Sequence, residues 1–115
     1  MRPYFLKVVF LISIALISCS SNKAGVKVSN ESGQKVISLE IQLAGKKQTI
    51  SNLKSGSAAT IAFHDFGDSH YTLSGALQDG TKLTGEFGYV TNGLDFDDEF
   101  TIKEKGKIEF KSESH

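Results

Sequence analysis

From residue 24 onward apolar and polar residues alternate repeatedly, with Gly, Asn, Asp and Ser gathered between the runs. The clearest run is Ile37, Leu39, Ile41 and Leu43, interleaved with Ser38, Glu40 and Gln42. Successive side chains of a strand point to opposite faces, so this pattern predicts a strand with one buried and one wet face. The same period recurs at Val26 and Val28, at Ala59, Ile61 and Phe63, at Tyr71, Leu73 and Leu77, and at Leu83, Phe87 and Tyr89. It closes with Leu94, Phe96, Phe100 and Ile102, then Ile108 and Phe110. Seven or eight strands are expected.

Turn residues cluster at 30–33, 44–47, 54–56, 65–68, 79–80, 92–93 and 105–106. Asp79-Gly80 and Asn92-Gly93 tolerate the positive φ that tight hairpins demand, so consecutive antiparallel pairing is expected. No stretch of this region carries the i, i+3, i+4, i+7 spacing of a helix. Short strands with one apolar face each predict an all-β fold, a small antiparallel sandwich over residues 24–111, with a small barrel as the alternative. It is immunoglobulin-like in architecture only, because the paired cysteines and core Trp of antibody domains are missing. Residues 112–115 are polar and read as a frayed tail.

The first eighteen residues break the pattern. They hold Arg2 and Lys7, no acidic residue, and the apolar stretch from Val8 to Ile17. A basic start followed by a short apolar segment is the secretory pattern, and the segment is shorter than the roughly 20 residues that span a bilayer. Leu16-Ile17-Ser18-Cys19 resembles the lipobox of bacterial lipoproteins: a large aliphatic residue, a small residue before the cut, and Cys at the start of the mature chain. The resemblance implies cleavage after residue 18, a diacylglycerol on Cys19 and acylation of its freed amine. It also accounts for an unpaired cysteine in an exported chain. Residues 19–23 then read as a lipidated Cys and polar tether. Ser20, rather than Asp, at the second position resembles enteric lipoproteins sorted to the outer membrane, facing the periplasm or the cell surface.

Removing the leader leaves 97 residues, one domain's worth, with eleven basic against thirteen acidic residues. The lysines are scattered, so no basic stripe marks a nucleic-acid partner. The membrane, through lipid on Cys19, and an envelope protein or glycan are the partners expected, and no cofactor is expected.

The densest set of potential metal ligands is His64, Asp65, Asp68 and His70. A hairpin turn at Phe66-Gly67 would bring the two histidines toward each other, but the spacing matches no zinc site and turns collect Asp for their own hydrogen bonds. These residues are weak metal candidates, and an enzyme using the His64–His70 turn, metal-dependent or hydrolytic, is the alternative function. The acidic run Asp95, Asp97, Asp98 and Glu99 lacks the spacing of a calcium loop. Alternation puts Asp95, Asp97 and Glu99 on the wet face and Asp98 inward, where an unpaired carboxylate is costly, so a bulge turning Asp98 outward is expected. Ser69 beside Asp68 and His70 names the members of a serine triad, yet neighbours on a strand face opposite ways and cannot meet. Tyr71 and Tyr89 read as core aromatics with a hydroxyl at the rim. No catalytic residue is assigned.

Three short motifs carry a further resemblance: Val28-Ser29-Asn30-Glu31-Ser32-Gly33, Gly67-Asp68-Ser69 and Gly88-Tyr89-Val90-Thr91-Asn92-Gly93. They are similar to a pattern in small, uncharacterised envelope proteins of Gram-negative bacteria, over about residues 26 to 102. The likeness implies the sandwich and the envelope location and adds no activity. The chain therefore reads as a membrane-anchored, non-catalytic binding or structural module. Loops at the end of a sandwich are where binding groups usually sit, and Asp65, Phe66, Asp68, Asn92 and Asp95 are expected on one polar rim, with Phe66 either an exposed apolar anchor or folded back as a core plug.

Overall fold

A computed structural model of the chain describes residues 22–115. The leader, the lipobox and Cys19 lie outside the described residues. Eight strands run in chain order: β1 (Lys23–Asn30), β2 (Val36–Leu43), β3 (Lys46–Leu53), β4 (Ala58–His64), β5 (Ser69–Leu77), β6 (Lys82–Val90), β7 (Phe96–Ile102) and β8 (Ile108–Ser114). They form two four-stranded sheets, ordered β4-β1-β7-β8 and β3-β2-β5-β6. This is the expected all-β sandwich, and the sheets do not close into a barrel.

Pairing of consecutive strands holds only within the sheets. The hairpins are β2–β3, β5–β6 and β7–β8, while the other connections cross from one sheet to the other. Four connections cross, β1–β2, β3–β4, β4–β5 and β6–β7, and β1 and β7, an even number of reversals apart, run the same way and pair in parallel, Val28 beside Phe100. The β2–β3 hairpin turns on Ala44 (φ 51°) and Gly45 (φ 77°), two left-handed residues whose twist matches the flanking strands. β3 itself carries few apolar residues, KKQTISNL, and its alternation is too faint to predict it.

Alternation is interrupted in three places. β2 bulges between Val36 and Ser38, so Val36 enters the core and Ile37, expected inside, is 42% exposed. On β6, Val90 pairs Ser69 while Phe87 pairs Tyr71, leaving one extra residue on β6. Gly88 supplies the left-handed backbone (φ 67°), and Tyr89 swings outward instead of joining the core. Finally, β7 begins at Phe96, and Leu94 stands exposed in the preceding loop. The ends also differ from expectation. Asn22 and Lys23 belong to the fold rather than to a tether, and residues 112–114 continue β8 against β7, Ser112 opposite Asp98.

The core lies between the sheets. Val26, Val28, Phe63 and Phe100 of one sheet meet Leu39, Ile41, Tyr71 and Leu73 of the other. Its centre is aromatic: Phe100 contacts Tyr71 edge-on at 5.4 Å and Phe87 at 5.5 Å, and lies 4.9 Å from Phe110 between ring centroids. Such tilted pairs add to the burial energy of the rings themselves.

Candidate functional site

The strands define two ends. At the end where β1 begins lie the 44–45, 65–68 and 91–95 loops; at the other lie 31–35, 54–57, 78–81 and 103–107. The first end contains the sequence-derived rim. Asp68 Oδ1 accepts the Asn92 backbone N–H at 2.7 Å, and Asp95 Oδ1 accepts that of Lys23 at 3.0 Å. The Asp65 N–H donates to the Asn22 carbonyl at 3.0 Å. Asp65, Asp68, Asn92 and Asp95 thus share one end, Asp68 tying two loops together and Asp65 and Asp95 tying theirs to the start of β1.

Of its two expected places, Phe66 takes that of a core plug and is not an exposed anchor. It is 3% exposed, with its ring against Phe96, and both its backbone polar groups bond to the Asn22 amide, at 3.2 Å each. The side chain of Asn22 stands in for a strand partner, which lets a backbone turn carry Phe66 inward with its polar groups satisfied.

The metal candidates do not converge. The 65–68 turn crosses between sheets rather than closing a hairpin, so His64 sits beside Lys23 in one sheet and His70 beside Glu86 in the other. Among the described residues no three His, Cys, Asp or Glu side chains are arranged to hold a metal ion. The triad-like neighbours are also engaged separately. Ser69 Oγ accepts the Ala44 N–H at 3.1 Å, Asp68 holds Asn92, and the His70 ring lies 3.2 Å from Glu86.

Asp98 departs most from the sequence reading. No bulge turns it out; it points into the core, 3% exposed. Tyr71 Oη donates to its Oδ2 at 2.5 Å and Ser112 Oγ donates to its Oδ1. Burial pushes the Asp98 carboxyl above the usual range, and the bonds from Ser112 and Tyr71 oppose that shift. Burial, with Asp98 beside it, likewise holds the Tyr71 phenol above its ordinary value, so it remains a donor. Buried carboxylates need such partners. The partner was hidden from sequence reasoning because Tyr71 and Ser112 lie 27 and 14 residues away.

Besides a surface of about 470 Å³ lined by Glu31, Lys103 and Lys107, two concave surfaces lie outside the core among the described residues. One, of about 400 Å³, spreads over the outer face of the β1 sheet, where Gly25 leaves a notch among Lys23, Lys27, Asp97, Lys111 and Glu113. The other, of about 260 Å³, lies at the β5–β6 edge and is lined by His70, Glu86, Phe87, Gly88 and Tyr89. Sequence reasoning missed the second because alternation puts Tyr89 inside.

No protein-family model and no curated protein matches the chain. Among solved structures, it is similar to one described as the NMR structure of the protein from Eubacterium rectale, at 21% identity and a TM-score of 0.57. The match covers 77% of this chain and 86% of that one. A likeness at this identity establishes the shared sandwich and nothing of its use.

Proposed function

We propose that the protein is a lipid-anchored module of the bacterial envelope, held at the outer membrane through Cys19, facing the periplasm or the cell surface, and acting by binding rather than catalysis. The observation that carries this reading is Leu16-Ile17-Ser18-Cys19 directly after a basic and apolar leader. Two acyl chains on Cys19 would anchor it firmly, since each buried methylene contributes about 0.8 kcal/mol. Only Ser20 and Ser21 separate Cys19 from Asn22, three residue steps or roughly 11 Å at full extension. A lipid there would hold the Asp65–Asp95 end near the bilayer and turn the opposite loops outward.

The absence of an assigned reaction is supported by how the candidate groups are engaged. His64 and His70 belong to different sheets, and Ser69, Asp68 and Asp98 each satisfy a backbone or side-chain partner within the fold. The test is metabolic labelling with palmitate in a bacterial host. The wild-type chain should incorporate label and be shortened by its leader, and Cys19→Ala should do neither. Label persisting in Cys19→Ala would refute the anchor.

A further inference from the structure

Tyr89 is the most exposed large apolar side chain among the described residues, at 63%. Simple alternation would bury it. The extra residue at Gly88 prevents this, keeping Phe87 and Val90 on the core side and turning the intervening tyrosine out. The arrangement requires glycine: φ is 67°, and a Cβ there would stand 2.7 Å from the Phe110 ring. Bulges at sheet edges often re-aim a side chain in this way. Beside Tyr89 the shallow groove continues to Glu86 and His70, whose side chains meet at 3.2 Å across β6 and β5.

We propose that this groove binds a neutral pyranose unit of a glycan, its ring face stacked on Tyr89 and its hydroxyls bonded by Glu86 and His70. A sugar ring offers a C–H face that suits an aromatic platform and a hydroxyl rim that needs acceptors. The Glu86 carboxylate is acceptor-only, so it matches hydroxyl donors and repels an acidic sugar. A few polar groups fixing orientation beside an apolar surface are the usual composition of a small-ligand site. The groove's size suits one ring rather than a long enclosed chain. The proposal deepens the reading of the protein as a binding module and makes no use of the lipid on Cys19.

The test is ligand-observed saturation-transfer NMR on the full chain, purified from membranes in detergent, with maltotriose, cellotriose and chitotriose as separate probes. Transfer to the ring C–H protons of at least one probe is expected. Tyr89→Ala should weaken binding about tenfold or more, the size of loss expected of a dominant aromatic contact. Tyr89→Phe should retain binding, Glu86→Gln should weaken it, and Ile37→Ala, at the opposite end, should leave it unchanged. No transfer to any probe, or transfer undiminished in Tyr89→Ala, would overturn the proposal. So would protection of Tyr89 from acrylamide quenching on reconstitution into phosphatidylcholine vesicles without saccharide transfer, which would assign the ring to the lipid interface. Palmitate labelling is independent of Tyr89, so a failed glycan site and a failed anchor give different results.

Discussion

Changing Tyr71 to Phe removes a single oxygen from the core and leaves a known deficit behind. The ring stays, with its edge contact to Phe100 at 5.4 Å and its neighbours Phe63 and Phe110 at 6.3 and 6.0 Å. What is lost is the hydroxyl that donates to Asp98 Oδ2. Asp98 then keeps Ser112 alone as a side-chain donor. A hydrogen bond to a charged group contributes about 1.5–3 kcal/mol, against about 0.5–1.5 for a neutral pair. At pH 7.5 the Tyr71→Phe domain should therefore be about 1.5–3 kcal/mol less stable, a drop in Tm on the order of 10 °C for a domain this size.

The pH dependence carries the sharper test. Asp98 has a folded pKa raised above its unfolded value. The folded state thus binds the proton more tightly, so the contribution of Asp98 to stability is present below the unfolded pKa and is lost as pH rises through the raised one. Two expectations follow for urea melts followed by circular dichroism. The gap between wild type and Tyr71→Phe should narrow on acidification, because the bond becomes one to a neutral carboxyl. Asp98→Asn, which can still accept from Tyr71 and donate to Ser112, should equal or exceed wild type at pH 7.5 and lose that advantage in acid. A Tyr71→Phe loss below about 0.5 kcal/mol at both pH values, or one that grows in acid, would refute the buried network.

Core and surface should separate on β2 in spite of its apparent alternation. Leu39→Ala or Ile41→Ala should cost about 2–5 kcal/mol in urea, whereas Ile37→Ala, half out of the bulge, should stay within about 1 kcal/mol, like Glu40→Ala and Gln42→Ala. The bulge on β6 can be probed with a matched pair of glycines, both at positive φ. Gly33→Ala has open space around its new Cβ and should lose only about 1 kcal/mol of backbone strain, while Gly88→Ala also drives into Phe110 and should cost clearly more. Equal losses in thermal melts would mean that the Phe110 contact does not constrain position 88.

The period of two made most of the strands legible, because a sheet with one buried face writes its geometry directly into residue order. It fails where one residue is inserted. At Val36-Ile37 and at Gly88-Tyr89 the bulge shifts the parity, and the residues misplaced by sequence reasoning are Ile37 and Tyr89 themselves. β3 fails for another reason: as an edge strand it buries only Ile50 and Leu53 deeply, so two apolar positions hold it while polar residues fill the rest. Asp98 and Phe66 share a third cause. Each needs a partner far along the chain, Tyr71 and Ser112 for the carboxylate, Asn22 for the buried turn, and no local pattern encodes that pairing.

The three short motifs gain their meaning from the same long-range contacts. Asn30 is buried between β1 and the 31–35 loop; its amide donates to the Gln34 and Leu53 carbonyls at 2.7 and 2.9 Å, and its oxygen accepts from both the Ser32 N–H and hydroxyl. Gly33 completes that loop with a left-handed backbone. In the second motif, Asp68 grips Asn92 of the third, and Ser69 caps the β2–β3 hairpin at Ala44. In the third, Gly88 makes the bulge, Val90 returns to the core and Gly93 turns the chain. Most of these residues hold a loop or a strand end of the sandwich in place. Tyr89 is the exception. It is the one large side chain in the motifs that satisfies no partner and fills no cavity, and a bulge that requires glycine holds it outside. The outward turn of that ring beside the paired Glu86 and His70 side chains is the geometry on which the proposed glycan site rests.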